Sequence, residues 1–137
     1  MFLLDTNVLS ELRRRDRTDP KVAQWVDGIE PSDLFLSVVT VLELEAGTLL
    51  MERRDKGQGA VLRAWLDKRI LPTFEGRILS IDTAIALCCA RLHVPDPRAE
   101  RDALIAATAL VHRLTLVTRN VVDFRLMGVD LVNPWEG

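Results

Sequence analysis

The sequence predicts an α/β fold with a mostly parallel sheet covered by helices on both faces. Three observations carry this. Short apolar runs alternate with longer segments of helical spacing. The short runs are apolar throughout rather than alternating, as strands buried on both faces are. The chain has 137 residues, within the roughly 100–200 typical of one domain, so one domain over residues 1–137 is expected.

Phe2-Leu3-Leu4 is the first apolar run, closed by Asp5. Thr6 and Asn7 are N-cap candidates for a helix reaching about Arg14. A second helix is expected over Pro20–Gly28, with Val22, Trp25 and Val26 on one face. Leu34–Ser37 reads as a second buried strand. Helical spacing (Val41, Leu44, Leu49) follows from about Thr40 to Arg54. Gly57–Gly59 is expected to break it before a further stripe of Leu62, Trp65, Leu66 and Ile70. Arg77–Ile81 reads as a strand, Asp82–His93 as a helix, Pro95-Asp96-Pro97 as a loop, and about Arg98–His112 as another helix. Leu114–Thr118 is a fourth strand, and Val129–Val132 adds a short fifth before Pro134 and Trp135.

Composition excludes several classes. Hydrophobic residues make up 48% and charged residues 28%, a globular balance rather than a disordered one. A chain of this size buries about 68% of its unfolded surface, enough for a core without disulfides or structural metal. The uncharged apolar run Leu34–Leu42 is far short of the roughly 20 residues of a membrane helix. The N-terminus lacks a basic region before its apolar residues, so the chain is expected in the cytoplasm, away from membranes. Cys88 and Cys89 are adjacent within an apolar stretch and read as small buried hydrophobes. His93 and His112 stand in no recognisable ligand spacing.

The net charge of −2 does not by itself predict a nucleic-acid partner, but the charges are uneven. Arg13, Arg14, Arg15, Arg17 and Lys21 form one basic cluster; Arg53, Arg54, Lys56, Arg63, Lys68, Arg69 and Arg77 form another. Their plainer reading is solvated helix faces.

The informative residues are carboxylates where a core would prefer carbon. Asp5 closes an apolar strand, and in an open parallel sheet ligands bind at the carboxyl ends of strands. Its bland alternative is a helix cap. Glu43 shares a helix face with Thr40, Ala46, Gly47 and Leu50, a small and apolar surface, whereas Glu45 points elsewhere and reads as solvated. Asp102 begins the stripe Ile105, Ala106, Ala109 and Leu110; its alternative role is to complement the helix dipole. Two carboxylates about 4 Å apart repel by about 4 kcal/mol at an effective dielectric near 20. Three at one edge therefore persist only around a cation or with shared protons. Oxygen ligands without His or Cys select Mg²⁺ or Mn²⁺ over zinc. Such metals, with positions left for water and phosphate, are the apparatus of phosphodiester hydrolysis. Glycoside hydrolysis by an acid pair ranks lower, because a chain with no Tyr and 5% aromatics has few platforms for sugars.

Four segments then carry a resemblance. Met1-Phe-Leu-Leu-Asp-Thr-Asn-Val-Leu-Ser-Glu, Ser37-Val-Val-Thr-Val-Leu-Glu-Leu with Gly47, Asp102-Ala-Leu-Ile-Ala-Ala-Thr-Ala and Leu116-Val-Thr-Arg-Asn-Val-Val-Asp-Phe resemble the four motifs of PIN-domain ribonucleases, in order and across essentially the whole chain. Within that family the chain is similar to VapC-type toxins of the FitB-like branch, which Ile70-Leu-Pro-Thr-Phe-Glu-Gly-Arg-Ile-Leu and Asn133-Pro-Trp also resemble. The resemblance implies a three-layer α/β/α sandwich, a Mg²⁺- or Mn²⁺-dependent endoribonuclease, a homodimer, and inhibition by a small antitoxin. Carried over by position, Asp5, Glu43 and Asp102 are its acidic cluster and metal ligands. The fourth acidic position falls on Asn120, a departure, with Asp123 the nearest acid. The leading expectation is therefore the toxin of a toxin–antitoxin pair that cleaves RNA. The alternatives are a DNA- or structure-specific nuclease and a catalytically weak nucleic-acid-binding partner protein.

Overall fold

A computed structural model describes residues 1–136 of the chain. Strands β1 (Phe2–Leu4), β2 (Leu34–Ser37), β3 (Ile78–Leu79), β4 (Thr115–Val117) and β5 (Leu131–Val132) form one sheet, ordered β3-β2-β1-β4-β5, with every pairing parallel. Helices α1 (Thr6–Leu12) and α2 (Pro20–Asp27) join β1 to β2. The path from β2 to β3 runs through α3 (Val38–Arg54), α4 (Lys56–Trp65), a π-helical turn at Leu66–Ile70 and the short α5 (Leu71–Thr73). From β3 the chain crosses through α6 (Thr83–Leu92) and α7 (Glu100–His112) to β4, and α8 (Val121–Phe124) leads to β5. Strand order reverses between β1 and β4. In a doubly wound sheet the crevice at the carboxyl ends of such a pair is where ligands bind.

The central strands β1, β2 and β4 are buried on both faces, which is why their sequences do not alternate, while the edge strands β3 and β5 are half-buried. Leu3 and Leu116 enter one core with Ile105, Ala106 and Ala109 of α7 and Phe124. Leu4 and Val117, one residue on, enter the opposite core with Val8 and Leu9 of α1, Leu66 and Phe74. Successive side chains point to opposite faces of a strand, so each Leu-Leu or Leu-Val step serves both layers. This is the expected α/β/α sandwich. A second helix layer forms where Ile85, Cys88 and Cys89 of α6 pack on Ala103 and Ala107 of α7; both cysteines are buried and free, as the sequence predicts.

Two expectations are corrected. The helical path from α3 is not broken at Gly57–Gly59; it breaks at Asp55, whose backbone is extended and whose side chain accepts from Gln58 N at 3.1 Å to cap α4. Gly59 lies inside α4 because α4 crosses α3 there: a Cβ at this position would sit 2.5 Å from Glu52 Cα. The buried residues of α3 are Val39, Thr40, Leu44 and Thr48. Leu49 and Leu50, read as packed, face outward with Leu42.

Candidate metal centre

Asp5 follows β1 and is 6% exposed. Its extended backbone makes it the N-cap of α1, the alternative role read for it, in place of the candidates Thr6 and Asn7. One carboxylate oxygen accepts from Thr6 N at 2.8 Å; the other accepts from Thr118 Oγ1 at 2.8 Å and Asn7 Nδ2 at 3.3 Å. Asp5 is thus a helix cap and a cavity residue at once, because the cap's second oxygen faces the end of β4. Glu43 projects from α3, and its Oε1 accepts from Thr6 Oγ1 at 2.7 Å. Asp102 stands in the first turn of α7, where the N-terminal dipole tolerates negative charge.

These three acids and Asn120 line one cavity of about 480 Å³. Thr6, Asn7, Ser10, Glu11, Arg119 and Trp135 complete its walls. Burial pushes the Asp5 carboxyl above its ordinary range against the hydrogen bonds from Thr118 and Thr6 that favour the charge; the Glu43 charge pushes it further up. Asp102 is also raised, first by burial and then by the charges of Asp5, Asp123 and Glu43. The acids share one field, which Arg101, 3.8 Å from Glu43 Oε2, relieves in part and a proton or bound cation relieves further.

The donor set fits a hard divalent ion, since every potential ligand lining the cavity is oxygen and none is His or Cys. Among the described residues, Cys89, His93 and Glu100 are the group whose ligand atoms all lie within 4.8 Å of one another; Asp5, Glu43 and Asp102 do not all come that close. The Cys89–His93–Glu100 group, brought together by folding and invisible in the spacing, is a poorer metal site. Arg98 N donates to His93 Nδ1 at 3.0 Å, which leaves the ring proton on Nε2, 3.2 Å from Glu100.

Asn120 sits where the sequence expects it, at the carboxyl end of β4, and its backbone N–H donates to Thr118 Oγ1 at 3.0 Å. Asp123 does lie on a helical turn, α8, but is exposed and outside the cavity wall. Its influence on Asp102 is electrostatic. Glu45, read as solvated, forms a bidentate pair with Arg63 at 2.7 and 2.9 Å. Arg63 also binds Glu52, and Arg77 donates to the carbonyls of Pro31, Leu34 and Thr73; both leave the basic cluster they were counted in. The reading of single residues missed Thr118 and Trp135. Thr118 carried a signal, a hydroxyl at a strand's carboxyl end; Trp135 stands in the resembling segment Asn133-Pro-Trp, but its place at the cavity depends on β5 pairing with β4.

Fold and cavity define a doubly wound α/β protein with an acid-lined cleft at the switch point of its sheet. The chain belongs to the PIN-domain family, whose model matches residues 2–127. It is 39% identical to toxin FitB of Neisseria gonorrhoeae, covering 99% of each chain, and 33% identical to VapC ribonuclease Y4jK of Sinorhizobium fredii, again over 99% of each. The crystal structure of FitAcB from Neisseria gonorrhoeae contains a chain of the same fold, with a TM-score of 0.91, 37% identity and full coverage of both chains. PIN-domain ribonucleases are metal-dependent.

Proposed function

We propose that this chain, acting as one PIN domain over residues 1–137, is a Mg²⁺- or Mn²⁺-dependent endoribonuclease and the toxin of a toxin–antitoxin pair. The observation that carries this is the convergence of Asp5, Glu43 and Asp102, from three separate elements, in one oxygen-lined cavity at the sheet's switch point. Its relatives named a toxin and a ribonuclease support the biological role, and its likeness to a chain in a toxin–antitoxin complex from Klebsiella pneumoniae, 28% identical with a TM-score of 0.67, supports an antitoxin as partner. The cytoplasm, where RNA is at hand, is the compartment this proposal assigns. Among the described residues no helix is long and apolar enough to cross a membrane.

Asp5, Glu43 and Asp102 would hold the ion, which supplies Lewis acidity toward the phosphate and an activated water. Thr6 and Thr118 fix the ligands: Thr6 donates its hydroxyl to Glu43 and its backbone N–H to Asp5, while Thr118 donates to Asp5. Asn120 offers an uncharged amide that accepts from water or donates to phosphate. The homodimer is supported by the exposed apolar row Leu42, Leu49 and Leu50 on α3; sedimentation checks it.

Cleavage of single-stranded RNA should vanish in EDTA and return with Mg²⁺ or Mn²⁺. Cleavage that survives chelation overturns the mechanism. DNA of the same sequence run in parallel should stay intact, and equal cutting of DNA would favour the broader nuclease reading.

A further inference from the structure

We infer that Arg119 and Trp135 form a nucleobase-binding subsite at the mouth of the cavity, which stacks a base of single-stranded RNA beside the acids. The inference rests on the RNA reading above and gives that substrate a specific contact.

Arg119 is the one cation among the side chains lining a cavity that four carboxylates share. Among the described residues it forms no ion pair with any of them. Instead its guanidinium carbon lies 5.1 Å from the centre of the Trp135 ring, within cation–π range. An exposed Arg left out of a salt bridge beside Asp5, Glu11, Glu43 and Asp102 is being held off them.

The holding parts come from both edges of the switch point. Thr118 N donates to Val132 O at 3.0 Å, tying the end of β4 to β5. Arg119 N donates to Asn7 Oδ1 at 3.3 Å, which fixes the turn against the start of α1. On the other strand Asn133 Oδ1 accepts from Trp135 N at 3.0 Å and Pro134 is buried, so the ring is delivered directly after β5. Trp135 packs on the core that includes Leu4 and Val117. The order outward is core, indole, guanidinium, and the outer layer is exposed.

A planar cation exposed at the mouth of an anionic cavity suits a ligand that is flat in one part and anionic in another. Nucleobases stack on guanidinium planes, and the adjoining phosphate takes the charge. A peptide carboxylate would satisfy the charge but leave the plane unused. Lysine could not replace this arginine, because an ammonium has no stacking face.

The test combines an abasic walk with binding. Short single-stranded RNAs of mixed sequence, each with one abasic position, are titrated by fluorescence anisotropy in EDTA, where cleavage is stopped. For the unmodified chain, one abasic position should weaken binding about tenfold, within the range for stacking one base. In Arg119→Ala and Arg119→Lys that same position should cost nothing further, because the partner of the base is already gone. Trp135→Leu should halve or abolish the abasic effect. Mn²⁺ should raise the melting temperature of all three variants as it does the parent's, showing that the ion site and fold are kept. An abasic penalty unchanged in Arg119→Ala overturns the subsite, as does the lack of any penalty in the parent. RNA binding without metal-dependent cleavage would instead overturn the ribonuclease reading and leave the subsite standing.

Discussion

Asp5 and Asp102 share a charge but differ in how they are tied to the fold. Asp102 has no hydrogen-bond partner among the described side chains and is raised by burial and by its acidic neighbours. Asp102→Asn should therefore keep the fold and raise the melting temperature of the metal-free protein, while cleavage falls at least about 100-fold, beyond the range for groups that only orient a ligand. Asp5→Asn should lose as much activity without that gain, since its new amide would face the Asn7 and Thr118 donors that now bind the carboxylate. Asp123→Asn serves as the control: it removes a charge outside the cavity and should leave most activity. A loss equal to that of Asp102→Asn would make Asp123 a working carboxylate of the site. The pH dependence follows from the same two acids. Their folded pKa values lie above the ordinary 3.8, so the stability they contribute is present below 3.8 and is lost as pH rises through the raised values. A bound cation restores it by replacing the proton. The rise in melting temperature on adding Mn²⁺ should accordingly be largest near neutrality and shrink as pH falls through the raised values; a rise independent of pH would place the ion elsewhere.

Among the elements, the α3–α4 pair shows how a local preference yields to packing. Gly57 and Gly59 are poor helix residues, yet Asp55 caps α4 and the helix runs through both. Alanine at 59 would gain about 1 kcal/mol of helix propensity. It would also place a Cβ 2.5 Å from Glu52 Cα, backbone that yields only if the helices separate. Overpacking of this kind costs about 1–3 kcal/mol, so Gly59→Ala should lower the melting temperature despite its propensity, whereas Gly57→Ala, whose Cβ would meet only the Asp55 side chain at 3.5 Å, should not. Stabilisation by Gly59→Ala would show that the crossing is looser than it looks. Arg63 closes the same junction by joining Glu45 and Glu52 of α3 to Asp67 in the π-helical turn.

For the whole molecule, folding sorts the basic residues into two kinds. Arg15, Arg63 and Arg77 are spent on Asp27, on the α3–α4 acids and on backbone carbonyls. Arg13 and Arg14 from the first cluster meet Lys68 and Arg69 from the second across a cavity of about 610 Å³ floored by Val61, Ala64 and Trp65. A smaller cavity shares Arg13 and Trp65 with this groove and Thr6, Ser10 and Glu43 with the acid-lined cavity. If RNA follows that path, Lys68→Ala with Arg69→Ala should weaken binding to all sequences alike and flatten the salt slope by about 0.7 per lost phosphate contact. An unchanged slope would return these cations to solvent.

The sequence alone determined the layers and the acids. Apolar runs without alternation can be satisfied only between two helix layers, and Asp5, Glu43 and Asp102 each interrupt a packing pattern that carbon would serve better. Both signals are local, written within about one helical turn or one strand. What only the tertiary structure decided is which distant groups meet: Thr118 with Asp5, Arg119 with Trp135, Arg13 with Lys68, and Glu45 with an Arg63 that had been counted as free. Those meetings depend on β4 being placed beside β1 and β5 beside β4, and on α4 folding back over α3. Strand order and helix crossing are set by the sum of the core's contacts, so no window of sequence around any one of these residues contains them.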